Sequence, residues 1–262
     1  MDRDLMRCRR SWVWSTVVSA VWLCVTPGAS EAGARRFTYS YEALTHPRGE
    51  VEYEQWVTWK TSKRDDRTYD RLEFRHELEF GVTDDFQLGV YVSDWRYTDG
   101  NSVKDDGADW RNVAVEGIYN LTHPIADPLG LSLYGEVKLG DELFELEAKL
   151  LLEKDFGPWA LVYNPTIEAE WEGDDFHERK GKFEQTAGIS YQVMPQLMVG
   201  AEVLHEISFD EWSTQSDHAI WLGPNVSYWK DNWWITVTPL FQTTHVDGEP
   251  DFQLRMLIGI EF

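Results

Sequence analysis

The chain of 262 residues has only two cysteines, Cys8 and Cys24, and both fall within the first 34 residues. Everything after Ala34 therefore lacks disulfides, a thiol nucleophile and any Cys-based metal site. Bases are scarce too: 24 Lys and Arg face 46 Asp and Glu, a formal net charge of −22. A nucleic-acid partner is excluded on that ground, because neutralising phosphates needs a surplus of Lys and Arg. Long apolar runs are missing beyond the N-terminus. The mean hydropathy of −0.45 is far too polar for a helical membrane protein. The chain has no Gly-rich phosphate loop, no His-x-x-x-His pair and no Gly-x-Ser-x-Gly elbow, so no cofactor is expected. What is abundant is tryptophan, with 14 in the chain.

Residues 1–34 read as a cleaved secretory signal. Arg7, Arg9 and Arg10 form a basic start, Trp12 to Val25 an apolar stretch, and Ala32-Gly33-Ala34 supplies the small residues a signal peptidase reads. Cleavage is expected after Ala34, or else after Ala32. The apolar stretch is short for a spanning helix, and Leu23 stands before Cys24 where lipid attachment wants a small residue. The expected mature chain, residues 35–262, is one domain with 20 bases and 43 acids.

In that part the dominant pattern is alternation in segments of roughly ten residues, the length with which a tilted strand crosses a bilayer. Phe252, Leu254, Met256, Ile258, Ile260 and Phe262 share one face of the last segment; Phe144, Leu146, Ala148, Leu150 and Leu152 alternate with Glu145, Glu147, Lys149 and Glu153. Asp141 to Lys154 has the composition of an amphipathic helix as well, but its five alternating apolar positions favour a strand. Twelve strands are expected, at 49–60, 69–80, 86–95, 111–121, 129–139, 143–154, 159–171, 183–193, 197–207, 219–229, 233–243 and 252–262. Short turns alternate with longer polar loops. The fold class is therefore all-β: a transmembrane antiparallel up-and-down β-barrel of about 12 strands, both termini on the short-turn side. A soluble β-sandwich or lipocalin-like barrel would bury its apolar face inside, and the polar face here is too charged for that. Aromatics near strand ends suggest two interfacial girdles. Trp56, Trp59, Trp95, Trp110, Trp171 and Trp212 lie towards the long loops; Phe80, Phe86, Phe156, Trp159, Trp229, Trp233 and Trp234 lie near the short turns.

With apolar positions towards lipid, the lumen is expected to be lined by Glu73, Arg75, Glu77, Glu116, Glu136, Lys138, Glu145, Glu147, Lys149, Glu168 and Glu202. Glu52, Glu54, Arg71, Glu79, Glu153, Glu170, Glu184, Glu206, Arg255 and Glu261 join them. Such an acidic wall would attract cations and repel anions. Carboxylates in such excess cannot all be paired, which favours an open lumen over one plugged by ion-paired side chains. The Gly140-Asp141 turn leaves the register open. A two-residue loop sets Glu136 opposite Glu145 and suits turn chemistry; a four-residue loop sets Lys138 opposite Glu145 and suits charge.

Asp99, Asp105, Asp106 and Asp109 form an acidic loop, more simply a solvated one than a Ca²⁺ site, since its spacing does not match an EF-hand. For a barrel-wall hydrolase the nearest candidates are His205 with Glu202 or Glu206, and His76 with Glu77; these pairings are what composition alone provides, and no catalytic residues are assigned.

The C-terminal strand ending in Phe262 resembles the terminal recognition strand of Gram-negative outer-membrane barrels, which the barrel-assembly machinery reads. Tyr53-Glu54-Gln55-Trp56, Glu77-Leu78-Glu79-Phe80-Gly81-Val82-Thr83-Asp84 and Leu222-Gly223-Pro224-Asn225-Val226 resemble a family of uncharacterised outer-membrane β-barrels, porin- or transporter-like. The resemblance implies fold and outer-membrane location, with lipid bilayer and lipopolysaccharide as surroundings. The expected function is a passive channel for small cationic or neutral solutes; the alternative is a structural or adhesive barrel acting through its acidic loops.

Overall fold

The computed structural model describes residues 34–103 and 106–262. The signal, except Ala34, and Asp105 of the acidic loop lie outside the described residues. Among the described residues every regular element is a strand. In chain order these are β1 (Val51–Lys63), β2 (Asp70–Thr83), β3 (Phe86–Asp99), β4 (Gly107–Thr122), β5 (Gly130–Leu139), β6 (Leu143–Phe156), β7 (Trp159–Glu172), β8 (Glu178–Met194), β9 (Leu197–Asp210), β10 (Thr214–Gln215), β11 (Ala219–Lys230), β12 (Trp233–Gln242) and β13 (Pro250–Glu261). β10 is a two-residue extension inside a long loop and pairs with β9. The other twelve close into an antiparallel barrel, with β13 bonded back to β1 and β9 joining β8 to β11. Closure leaves no free sheet edge, the condition for a sheet to stand in hydrocarbon.

The alternation sets which face is wet. Leu133, Leu146, Leu150 and Ile167 stand exposed on the outside, whereas Glu52, Glu54, Glu77 and Glu116 point inward and are buried. A soluble barrel has the reverse arrangement. The 143–154 segment is β6, a strand paired along its length with β5 and β7. At the Gly140 turn the four-residue loop is observed: Lys138 faces Glu145 and Glu136 faces Glu147, with the Gly140 N–H donating to the Leu143 carbonyl at 2.8 Å. Charge pairing thus outweighs the turn preference. Several strands run further towards the long loops than the apolar pattern does; β8 begins at Glu178 rather than at 183, because hairpins continue beyond the apolar band on charged residues.

The apolar core lies inside the barrel, and it is built around the segment preceding β1. Tyr41 and Ala43 pack with Trp56, Ile118, Tyr134, Leu151, Trp234 and Leu257, and Tyr39 packs with Leu204, Trp221 and Leu240. Three expected girdle residues therefore belong to the lumen: Trp56 and Trp234, buried at inward positions of the alternation, and Trp229, which packs partly buried against the same cluster. Trp59, Trp95, Trp110, Trp159, Trp212 and Trp233 are exposed.

Candidate functional site

The lumen divides into two halves of different construction. Towards the long loops, lysines and arginines sit between carboxylates. Lys138 Nζ lies 2.7 Å from Glu145 and 3.2 Å from Glu147. Lys182 joins Glu168 (3.4 Å), Glu184 (3.0 Å) and Glu206 (3.0 Å), a bridge across β7, β8 and β9. Lys149 pairs with Glu147, and Lys60 and Arg71 flank Glu73. Water reaches this half: the side chains of Lys60, Arg71, Glu73, Lys182 and Glu206 keep 22–28% of their exposure. Arg75, one level deeper, holds Asp94 at 2.8 Å and Glu136 at 2.7 Å.

Towards the short turns the lumen is filled by the chain's own residues 34–46, which enter, turn back and leave through the same mouth to start β1. This segment has no ladder of its own, so wall side chains satisfy its backbone, as buried peptide groups require. The Thr38, Tyr39 and Ser40 N–H groups donate to the Glu202 carboxylate at 2.9, 2.8 and 3.0 Å, and Thr238 Oγ1 donates to the same group. Asn164 accepts from the Tyr41 N–H and donates to its carbonyl, at 2.7 and 3.1 Å. Glu153 accepts from the Ala43 N–H, while Asn120 and Ser132 donate to the Ala43 carbonyl. Ser227 and Thr236 donate to the Arg35 carbonyl, and Asn225 to that of Arg36. Gly188 is required here: a Cβ would fall 2.5 Å from the Phe37 ring.

The side chains of the segment add charge. Arg35 pairs with Glu54 and stacks on Tyr41 and Trp56; Arg36 pairs with Glu153 and Asp155. His46 Nε2 lies 2.9 Å from Glu79. Burial alone would lower the His46 pKa, but the hydrogen bond and charge of Glu79 more than offset it, pushing it up to about 10. Below the segment, a cavity of about 770 Å³ opens at the short-turn mouth, lined by Arg36, Glu42, His46, Gln87, Asp155 and Trp159.

The sequence-derived lining residues fall as follows. Glu77, Glu116 and Glu202 lie in the buried half; Arg75, Glu136 and Lys149 lie at the junction, Lys149 standing over the Tyr41 ring. Glu73, Lys138, Glu145, Glu147 and Glu168 lie in the half that faces the long loops. The expectation of an open lumen fails for the short-turn half, because residues 34–46 supply cations and N–H donors that periodicity could not reveal. Asp94 and Lys182 also escaped the sequence reading. A bulge between Tyr91 and Asp94 breaks the parity of β3 and turns Asp94 inward, and Lys182 precedes the apolar part of β8. His205 and His76 project outward while their candidate acids project inward. His205 contacts Gln185 and His218, and His76 contacts Tyr53, so neither forms an acid–base pair with those glutamates. In the acidic loop, Asp109 is engaged by Arg96 and Arg111. Phe262 closes the sheet through its N–H to the Val51 carbonyl at 2.9 Å, its ring exposed.

A closed twelve-stranded barrel with an apolar outside and a charged lumen is the architecture of outer-membrane β-barrels. The chain belongs to a family of unknown function, DUF6662, whose model matches residues 29–253. No curated protein matches it. Among solved structures it is similar to the COG4313 outer membrane channel from Pseudomonas putida F1, at 12% identity and a TM-score of 0.60, covering 84% of this chain and 98% of that one. It is also similar to the NanC porin, at 8% identity and a TM-score of 0.52, covering 79% and 98% respectively. At these identities the likeness is one of fold.

Proposed function

We propose that the protein is a passive outer-membrane channel for small cationic or neutral solutes, narrowed from within by its own N-terminal segment. The observation that carries this reading is the inward placement of the carboxylates. The acidic, water-reached long-loop half would concentrate cations at the extracellular entrance. In this reading the short turns face the periplasm and Phe262 at the end of β13 serves as the signal for barrel assembly. Lipid and lipopolysaccharide surround the apolar band. Removal of a signal after Ala34 would leave Arg35 as the first residue, seated at the periplasmic mouth. Reconstitution in planar bilayers tests the proposal: small conductance steps with a reversal potential on the cation side are expected. Complete absence of conductance, or clear anion preference, overturns it.

A further inference from the structure

Four glutamates face one another across a single strand pair. In the β1–β2 register Glu52 stands opposite Glu79, and Glu54 opposite Glu77. Like charges directly opposite on one sheet face destabilise the pairing. All four are buried, at 0–4% exposure. Glu116, on β4, comes in from the side. Arg35 and His46 are the basic residues in direct contact with this group, on Glu54 and Glu79. Arg75, the next cation along β2, is committed to Asp94 and Glu136. Five buried carboxylates therefore meet one arginine and one histidine, and of the five only Glu79 lines the cavity at the short-turn mouth.

Glu77 is the focus of the imbalance. Neither of its oxygens has a hydrogen-bond partner among the described residues, although the side chain is fully buried. Oε1 of Glu54 and Oε1 of Glu116 are likewise unpartnered. One oxygen each of Glu54, Glu77 and Glu79 lie within 4.8 Å of one another. The space is kept by Gly89: a Cβ there would fall 2.5 Å from both Glu77 Oε1 and Glu116 Cγ. A second acidic cluster, Glu145, Glu147 and Glu168, has similar geometry. That one is already served by Lys138, Lys149 and Lys182. No such base serves Glu77.

We propose that Glu54, Glu77 and Glu79, with Glu116 at the edge, bind a hard divalent cation of the calcium class inside the short-turn half of the barrel. An all-carboxylate, all-oxygen donor set suits Ca²⁺ rather than a soft transition metal. Glu77, with both oxygens free, offers a bidentate ligand. The outer oxygens of Glu54 and Glu79 are held by Arg35 and His46, so a bound cation would tie the N-terminal segment to the wall of β1 and β2. The site stands whether or not the barrel conducts.

The test uses the full-length barrel in detergent, stripped with EDTA and titrated with CaCl₂ by calorimetry, with melting followed in parallel. The wild type should bind Ca²⁺ with a component that raises its Tm by several degrees. Glu77→Gln should weaken that component at least tenfold and abolish the Tm shift, while Asp217→Asn, an exposed acid, should change neither. Without Ca²⁺, Glu77→Gln should melt no lower than the wild type, because repulsion is relieved. Terbium substituted for Ca²⁺ gives a second readout independent of that variant: Trp56 adjoins Glu54, so Trp56→Phe should lose more than half of the tryptophan-sensitised emission. Equal Ca²⁺ binding and equal Tm shifts in wild type and Glu77→Gln would overturn the proposal. So would a wild-type Tm that responds to acidification but not to Ca²⁺, which would mean that shared protons neutralise the cluster.

Discussion

The two halves of the lumen solve the same electrostatic problem differently. Both present glutamates from neighbouring strands to the barrel axis. In the long-loop half the wall neutralises itself: Lys138, Lys182 and, at the junction, Lys149 sit on the same strand as the acids they serve or on the next one, and water screens the remainder. In the short-turn half the wall has few bases of its own, and the acids are matched by an inserted stretch of chain whose N–H groups, arginines and histidine fill the space. Charge on strands is neutralised locally when the barrel is wet. When it is dry, a backbone segment can do what side chains do elsewhere, because each N–H is a donor that burial obliges to be used.

The sharpest way to break this comparison is at Glu202, which accepts three consecutive N–H groups. Charge-assisted hydrogen bonds contribute roughly 1.5–3 kcal/mol each and are not additive. Glu202→Ala should release the turn at Thr38–Ser40 at a cost of about 3–5 kcal/mol. In bilayers the expected result is conductance raised several-fold, with the barrel still closed by circular dichroism. Unchanged conductance would show that residues 34–46 do not limit passage.

A smaller effect is expected in the wet half. Lys138→Met strands Glu136, Glu145 and Glu147 around an empty position. These acids are buried, but Lys149 still pairs with Glu147 and Arg75 with Glu136, so the loss should be about 1–3 kcal/mol, below the ~3–5 kcal/mol typical of a buried pair left with no partner. Denaturant unfolding with added salt checks the assignment: screening should reduce the deficit of Lys138→Met more than that of Glu202→Ala.

The smallest effect lies outside the lumen. Asp66, in the β1–β2 loop, accepts from Thr68 Oγ1 and its N–H, and from the Ser102 N–H of the next long loop. The Thr68 hydroxyl, then the Ser102 N–H, hold its carboxyl well below the usual carboxylate range. A group with a depressed folded pKa contributes stability above its unfolded value, about 3.9, and loses it as pH falls towards the folded value. Pepsin cleavage around residues 64–68 should therefore be slow at pH 4 and accelerate below it. Asp66→Asn should be cut faster at pH 4, with the lumen unaffected.

Much of the fold was legible because a period of two is a local property. The positions of β5, β6 and β7 follow from Leu133, Leu146 and Leu150 alternating with Glu136, Glu145, Glu147 and Lys149, and inward placement of the acids follows from the same parity. Where parity breaks, as at the bulge before Asp94, the reading breaks with it. Trp56 and Trp234 were legible by parity as well; their aromatic character and their nearness to strand ends outweighed it.

The sequence by itself determined a closed twelve-stranded sheet, its apolar outside and its carboxylate inside, since each rests on side chains a few residues apart. Only the tertiary structure decided what fills the lumen. Residues 37–43 alternate as a strand would, Phe37, Tyr39, Tyr41 and Ala43 against Thr38, Ser40 and Glu42, but their partners lie far along the chain, Arg255 standing 217 residues from the Thr38 carbonyl it approaches. Closing the barrel brings those groups together, and burial obliges them to pair.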